Sequence, residues 1–182
     1  MFDLARAAVE GALAAGAQYA DARVVASKNQ SIAVLNQEPQ SIDQAERAGV
    51  GVRALTGSGW GFYATSNLTT AAARQAGEQS AAISRASATV PGPAMPLADV
   101  PVVEESYETP HEEDPFAVPV SEKVDLLVAV TKTMQQVDGV ALASGTLAFW
   151  DTNKWFVSSQ GHRIHQHLVE SGGGYDATVL GE

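Results

Sequence analysis

Residues 46–65, Glu-Arg-Ala-Gly-Val-Gly-Val-Arg-Ala-Leu-Thr-Gly-Ser-Gly-Trp-Gly-Phe-Tyr-Ala-Thr, constrain this chain more than any other stretch. They predict two strands, Ala48 to Leu55 and Trp60 to Ala64, joined by a Gly-rich turn at Thr56-Gly57-Ser58-Gly59. Further strands are expected at Asp21 to Ser27 and Gln30 to Asn36, with Lys28-Asn29 as a tight turn, and near Gln40 to Glu46. Ser31, Ala33 and Leu35 alternate with Ile32, Val34 and Asn36, so neither face of that segment is cleanly apolar.

Residues 2–15 form an Ala-rich amphipathic helix in this reading, with Phe2, Ala5, Val9, Ala12 and Leu13 on one stripe and Gly16 as cap. A second helix runs from Leu68 to about Ala88, with Ser66, Asn67 or Thr69 as N-cap. A third opens at Ser121, carries Val124, Leu127, Val128, Thr131, Met134 and Val137, and stops at Asp138-Gly139. Strands are then expected at Val140 to Trp150, Lys154 to Ser158, Arg163 to Glu170 and Tyr175 to Leu180.

Between the two parts, residues 90–120 hold seven of the eight prolines, interleaved with Glu104, Glu105, Glu108, Glu112, Glu113 and Asp114. Proline removes backbone donors and like charges repel, so this reads as a solvated, irregular connection. Halves 1–89 and 121–182 repeat the order of a helix followed by strands. Asn29 to Val34 parallels Asn153 to Ser158, and Glu46 to Gly51 parallels Glu170 to Gly174. The expectation is one α+β domain over residues 1–182, with three helices and a mixed, mainly antiparallel sheet built from two similar halves. At this size folding buries roughly 70% of the unfolded surface, so no staple is needed.

Charge narrows the function classes. Eleven basic residues are scattered among 21 acidic ones, for a net charge of −10. Nucleic-acid partners require clustered Lys and Arg, so none is expected. The absence of cysteine removes disulfides and thiolate chemistry. Without a basic, then apolar, leader or a run of roughly 20 apolar residues, the expectation is a cytoplasmic protein away from the membrane.

Each motif that suggests chemistry has a plainer structural reading. Gly49-Val50-Gly51-Val52-Arg53-Ala54 matches the dinucleotide fingerprint in spacing. That chemistry requires a turn into a helix whose N–H groups hold pyrophosphate, whereas a hairpin follows here. The glycines then serve close packing. Gly57-Ser58-Gly59-Trp60-Gly61 lacks the Lys-Ser/Thr of a phosphate loop. His111-Glu112 begins like a zinc helix but meets Pro115 where the second histidine belongs. Ser158-Ser159-Gln160-Gly161-His162 fits a β-turn better than a triad.

His162, His165 and His167 are the one candidate metal cluster. On a strand His165 and His167 share a face while His162 points away, and no Asp or Glu is evidently placed as third ligand. The preferred reading is a polar strand. No catalytic, cofactor-binding or metal-binding residue is therefore assigned. The aromatic residues Trp60, Phe62, Tyr63, Phe149, Trp150, Trp155 and Phe156 fall in strands or at their ends, as core or as a peptide groove.

Taken together, the leading helix, Tyr19-Ala20-Asp21-Ala22-Arg23, Gly49 to Leu55, Gly59 to Ala64, Ser66-Asn67-Leu68-Thr69 and the turn between Phe156 and Ile164 resemble the amino-terminal part of the TldD/PmbA family. These are zinc metallopeptidases and their non-catalytic relatives, called modulators of DNA gyrase. The resemblance implies a scaffold domain that helps form a homo- or heterodimer and encloses the chamber of a peptidase acting on peptides or unfolded proteins. Its implied partners are a carboxy-terminal peptidase domain and a sister subunit. In the family that other domain carries zinc on a His-Glu-x-x-x-His helix, which nothing here matches. The sequence ends about where the family's amino-terminal domain leads into the rest. Alternatives are a non-catalytic partner subunit or interaction module, or a stand-alone metal-binding protein using the histidine strand.

Overall fold

The computed structural model describes residues 1–90, 92–93 and 96–180. Residues 91, 94 and 95 of the expected Pro-rich connection, and 181–182 at the end of the sequence, lie outside the described residues. In chain order the elements are α1 (Phe2–Ala14), β1 (Tyr19–Leu35), β2 (Glu38–Thr56), β3 (Gly59–Thr65), α2 (Thr70–Ser87), β4 (Glu104–Glu108), α3 (Val120–Met134), β5 (Val140–Ser158) and β6 (Arg163–Val179). The sheet order is β3-β2-β1-β5-β6-β4. β2 and β3 pair antiparallel from Val50 opposite Thr65 to Thr56 opposite Gly59. β4 runs parallel to β6, with Glu104 opposite Arg163 and Glu108 opposite His167. Among the described residues the fold is thus α+β, with three helices and a mixed, mainly antiparallel sheet.

The strands are longer than the sequence suggests. No turn interrupts β1 at Lys28-Asn29; the reversal falls at Asn36-Gln37, both left-handed with φ of 50° and 69°. That pair of positive φ values suits a two-residue hairpin. β2 fuses the two segments expected on either side of Arg47, and β5 and β6 each fuse two more. The polar residues that look like breaks have partners across the fold. The Lys28 ammonium lies 4.7 Å from the Phe116 ring centre, and Asn153 Oδ1 meets His165 Nε2 at 3.0 Å. Ile32 and Val34 are both 1% exposed, so this part of β1 does have an apolar face.

The connection is not wholly irregular either. Its acidic stretch forms edge strand β4, where Glu108 meets His167 at 3.1 Å and Ser106 meets His165 at 3.3 Å. Carboxylates on a short edge strand also discourage pairing with other chains. α3 starts one residue earlier than expected, with Pro119 at its N-cap, and ends at Met134 rather than Asp138.

Two compact units emerge, each drawing on both halves of the sequence: Met1–Ala26, Arg47–Glu108 and Thr152–His167; and Ser27–Glu46, Thr109–Asp151 and Leu168–Glu182. The first has an alanine-rich core. Ala5, Ala8, Val9 and Ala12 of α1 and Ala73, Ala76 and Ala81 of α2 pack with Ala20, Ala22 and Val24 of β1 and Val50, Val52 and Ala54 of β2. Small side chains allow close approach. A Cβ on Gly77 of α2 would stand 2.0 Å from the Ala8 carbonyl oxygen of α1, and one on Gly61 of β3 2.1 Å from that of Ser80. Thr69 caps α2, its hydroxyl accepting from Ala72 N–H at 3.2 Å.

In the second unit Leu127 of α3 packs with Ile32 and Val34. Lys123 is 5% exposed and donates to Gln30 Oε1 and the Pro115 carbonyl, with its ammonium 4.3 Å from the Phe149 ring centre. Burial pushes its pKa down. Two acceptors and an aromatic face compensate a charge that would otherwise be costly to bury.

Candidate functional site on the sheet of the first unit

Alternation along β1 sorts its side chains by face. Ala20, Ala22 and Val24 enter the helix-covered core, leaving Tyr19, Asp21 and Arg23 on the opposite face. There Asp21, fully buried, is the hub. Its carboxylate accepts from Arg23 Nη1 at 2.6 Å, from the Tyr19 hydroxyl at 3.0 Å, and from Arg53 Nε and Nη2, the latter at 2.7 Å. The two-nitrogen approach of Arg53 is the geometry in which guanidinium matches carboxylate best.

Aromatic rings frame the cluster. Arg53 lies 5.3 Å from the Trp60 ring centre, Arg23 4.7 Å from that of Phe156, and Tyr19 meets Trp60 edge-to-face at 5.9 Å. Burial, reinforced by the Asp21 carboxylate, pushes the Tyr19 phenol up to about 12. Tyr19 is therefore a neutral hydrogen-bond donor at neutral pH rather than a base or nucleophile. The hydrogen bonds that Arg53 donates to Asp21 raise its pKa further, so that guanidinium stays charged. Beside the cluster, Tyr19, Val100, Val103, Phe156, His162 and Ile164 help line a cleft of about 490 Å³.

The histidines do not converge. His165 is held through both ring nitrogens by Ser106 and Asn153 and stacks on Trp155, ring centres 5.0 Å apart. His167 pairs with Glu108, a carboxylate that sequence reading did not place near it. His162 lies elsewhere, at the cleft, where its Nδ1 accepts from Val103 N–H at 3.1 Å. Among the described residues no three His, Asp or Glu side chains form a metal-binding group. This donor set does not fit a zinc centre, which needs three convergent protein ligands.

The other motifs fall into place as packing. Gly49 to Ala54 lies inside β2, where a Cβ on Gly51 would stand 3.2 Å from the Phe62 ring. Thr56 to Gly59 forms the hairpin turn into β3. Ser159 lies between β5 and β6, its hydroxyl accepting from Ala20 N–H, and His111 is exposed outside any helix. Sequence reading missed the Asp21–Arg53 pair, although Tyr19, Asp21 and Arg23 at alternate positions were a visible sign of one polar strand face.

No helix among the described residues is long and apolar enough to cross a membrane. Residues 20–84 match the model of the family described as PmbA/TldA metallopeptidase domain 1. No curated protein sequence matches the chain significantly. Three solved structures are similar in fold. A protein described as a candidate modulator of DNA gyrase from Bacteroides thetaiotaomicron superposes with a TM-score of 0.80 at 16% identity, over 98% of this chain and 41% of its own. A second candidate modulator of DNA gyrase, from Thermotoga maritima, gives 0.68 at 12% identity, over 97% and 43%. TldE from Thermococcus kodakarensis gives 0.66 at 16% identity, over 98% and 42%. This chain therefore spans less than half the length of each of these relatives. Residues 20–84 are thus similar to the first domain of the PmbA/TldA metallopeptidase family, and the fold around them is the one seen in these solved structures.

Proposed function

We propose that this chain acts as the non-catalytic, amino-terminal domain of a TldD/PmbA-type metallopeptidase, helping to enclose the chamber in which peptides or unfolded proteins are cut. The observation that carries this reading is the coverage: the whole fold corresponds to about two-fifths of larger proteins. The exposed face of its first unit offers guanidinium groups and aromatic rings, suited to holding a chain rather than cutting it. The zinc chemistry belongs, in this reading, to another polypeptide region or a sister subunit, and the protein works in the cytoplasm as part of a dimer.

Co-expression tests this. The chain is produced with a polypeptide of the same family that carries the His-Glu-x-x-x-His helix, and association, zinc content and cleavage of an unfolded protein are measured. The expected result is a stable complex whose peptidase activity exceeds that of either part. Full activity in this chain alone, or stoichiometric zinc lost on replacing His165 and His167, overturns the proposal in favour of the stand-alone metal protein.

A further inference from the structure

The cluster around Asp21 has more cation than it needs. One buried carboxylate faces two guanidinium groups, and Tyr19 contributes no charge, so the site carries one net positive charge in a protein whose total is −10. Arg53 spends Nε and Nη2 on Asp21, and Arg23 spends only Nη1. The Nε and Nη2 of Arg23 have no acceptor among the described residues, whereas the Arg53 guanidinium also interacts with the Tyr19 hydroxyl. The Arg23 and Arg53 side chains are 40% and 46% exposed. A purely structural ion pair requires one arginine; the second leaves a half-open cation with free donors.

That cation adjoins the cleft. Phe156, on which Arg23 stacks, and Tyr19, which donates to Asp21, both line it, and Val100, Val103 and Ile164 make its walls apolar. Its volume of about 490 Å³ lies within the range of small-ligand sites. Gln160 and His162 supply the polar groups at its wall. A single excess charge matches a carboxylate better than a phosphate dianion, which calls for a denser set of donors. A carboxylate and an apolar side chain on one residue occur together in a peptide only at its carboxy terminus.

We propose that Arg23 and the Tyr19–Phe156 cleft bind the carboxy-terminal residue of a peptide, guanidinium on the carboxylate and apolar side chain in the cleft. The choice of a peptide rests on the function proposed above. The site itself is tested by binding to this chain alone, with no assembly or hydrolysis, so either reading can fail without the other.

Calorimetric titration compares N-acetyl-Ala-Ala-Phe as free acid, the same peptide as amide, and N-acetyl-Ala-Ala-Ala as free acid. The Phe acid is expected to bind about tenfold more tightly than the amide, the loss of one charge-assisted contact. It should also bind several-fold more tightly than the Ala acid. Arg23→Gln leaves Arg53 on Asp21, so the fold persists, and it should erase the acid–amide difference. Val100→Trp fills the cleft and should erase the Phe–Ala difference while sparing the first. Equal binding of acid and amide, no binding at millimolar peptide, or an acid preference that survives Arg23→Gln overturns the proposal. Decanoate binding as tightly as the Phe acid overturns the peptide assignment.

Discussion

Replacing Gly77 by alanine should destabilise the protein, against what helix propensity alone says. In an isolated helix this change is favourable by about 1 kcal/mol, because glycine loses more backbone freedom on folding. Here α1 and α2 touch backbone to backbone. The new Cβ would stand 2.0 Å from the Ala8 carbonyl oxygen and 2.7 Å from the Ala12 nitrogen, and neither is a side chain that can swing away. On the facing side a Cβ at Gly11 would stand 2.3 Å from the Arg74 carbonyl, so the helices have no slack to redistribute. Overpacking of well-fitted cores costs about 1–3 kcal/mol, and contact with rigid backbone belongs at the upper end. Subtracting the propensity gain leaves a net loss of about 2 kcal/mol, or roughly 4–8 °C in Tm for a chain of this size. Urea unfolding followed by circular dichroism measures it, with exposed Gln79→Ala in the same helix as a control expected within about 0.5 kcal/mol of the parent. A Gly77→Ala protein as stable as the parent, or more so, would refute the helix-crossing argument.

Three further outcomes follow from particular contacts. Because the Tyr19 phenol is raised from 10.0 to about 12, the folded state holds that proton more tightly than the unfolded chain. Its contribution, about 2–3 kcal/mol, is present below pH 10 and lost as pH rises toward 12. Near-ultraviolet phenolate absorbance should show a late ionising step that Tyr19→Phe removes. Gln37→Gly relieves a left-handed residue at the β1–β2 turn and sacrifices only an exposed side-chain bond to Gln135, so thermal melts should show a gain of about 0.5–1 kcal/mol. Asp21→Asn leaves two guanidinium groups facing each other across a neutral amide. Chemical denaturation should show a loss of about 2–3 kcal/mol, less than for a fully buried pair because both arginines reach solvent.

What could be read from the sequence was whatever local chemistry decides. The β2–β3 hairpin has its turn where Thr56-Gly57-Ser58-Gly59 requires, and Gly57 indeed takes positive φ. α1 and α2 follow from apolar spacing, and Thr69 is the cap. What could not be read was strand length and the acidic edge strand. Lys28-Asn29 and Asp151-Thr152-Asn153 have turn-like composition, yet they continue as strand because their partners lie far away in sequence, at Phe116 and His165. Glu104 to Glu108 looks like a self-repelling run until Arg163, His165 and His167 are set opposite it. Those compensations are tertiary, and no window along one chain contains both members.

The same reasoning explains why the candidate site is only half legible. Tyr19, Asp21 and Arg23 lie at alternate positions, so period two alone puts them on one face of a strand. Whether that face is buried, and by what, depends on Arg53 and Phe156, which are 30 and more residues distant. With Arg53 in place, the buried carboxylate becomes a reason for the fold to hold one arginine. It gives no reason for Arg23, whose guanidinium is satisfied at one nitrogen and open at two. A residue held in place by stacking on Phe156, charged, and left with donors facing solvent has the properties of a recognition group. Stability measurements will therefore separate the two arginines. Arg53→Gln, which removes the two-nitrogen partner of a fully buried carboxylate and leaves it single contacts from Arg23 and Tyr19, should cost more folding free energy than Arg23→Gln, and Arg23→Gln should cost peptide binding instead.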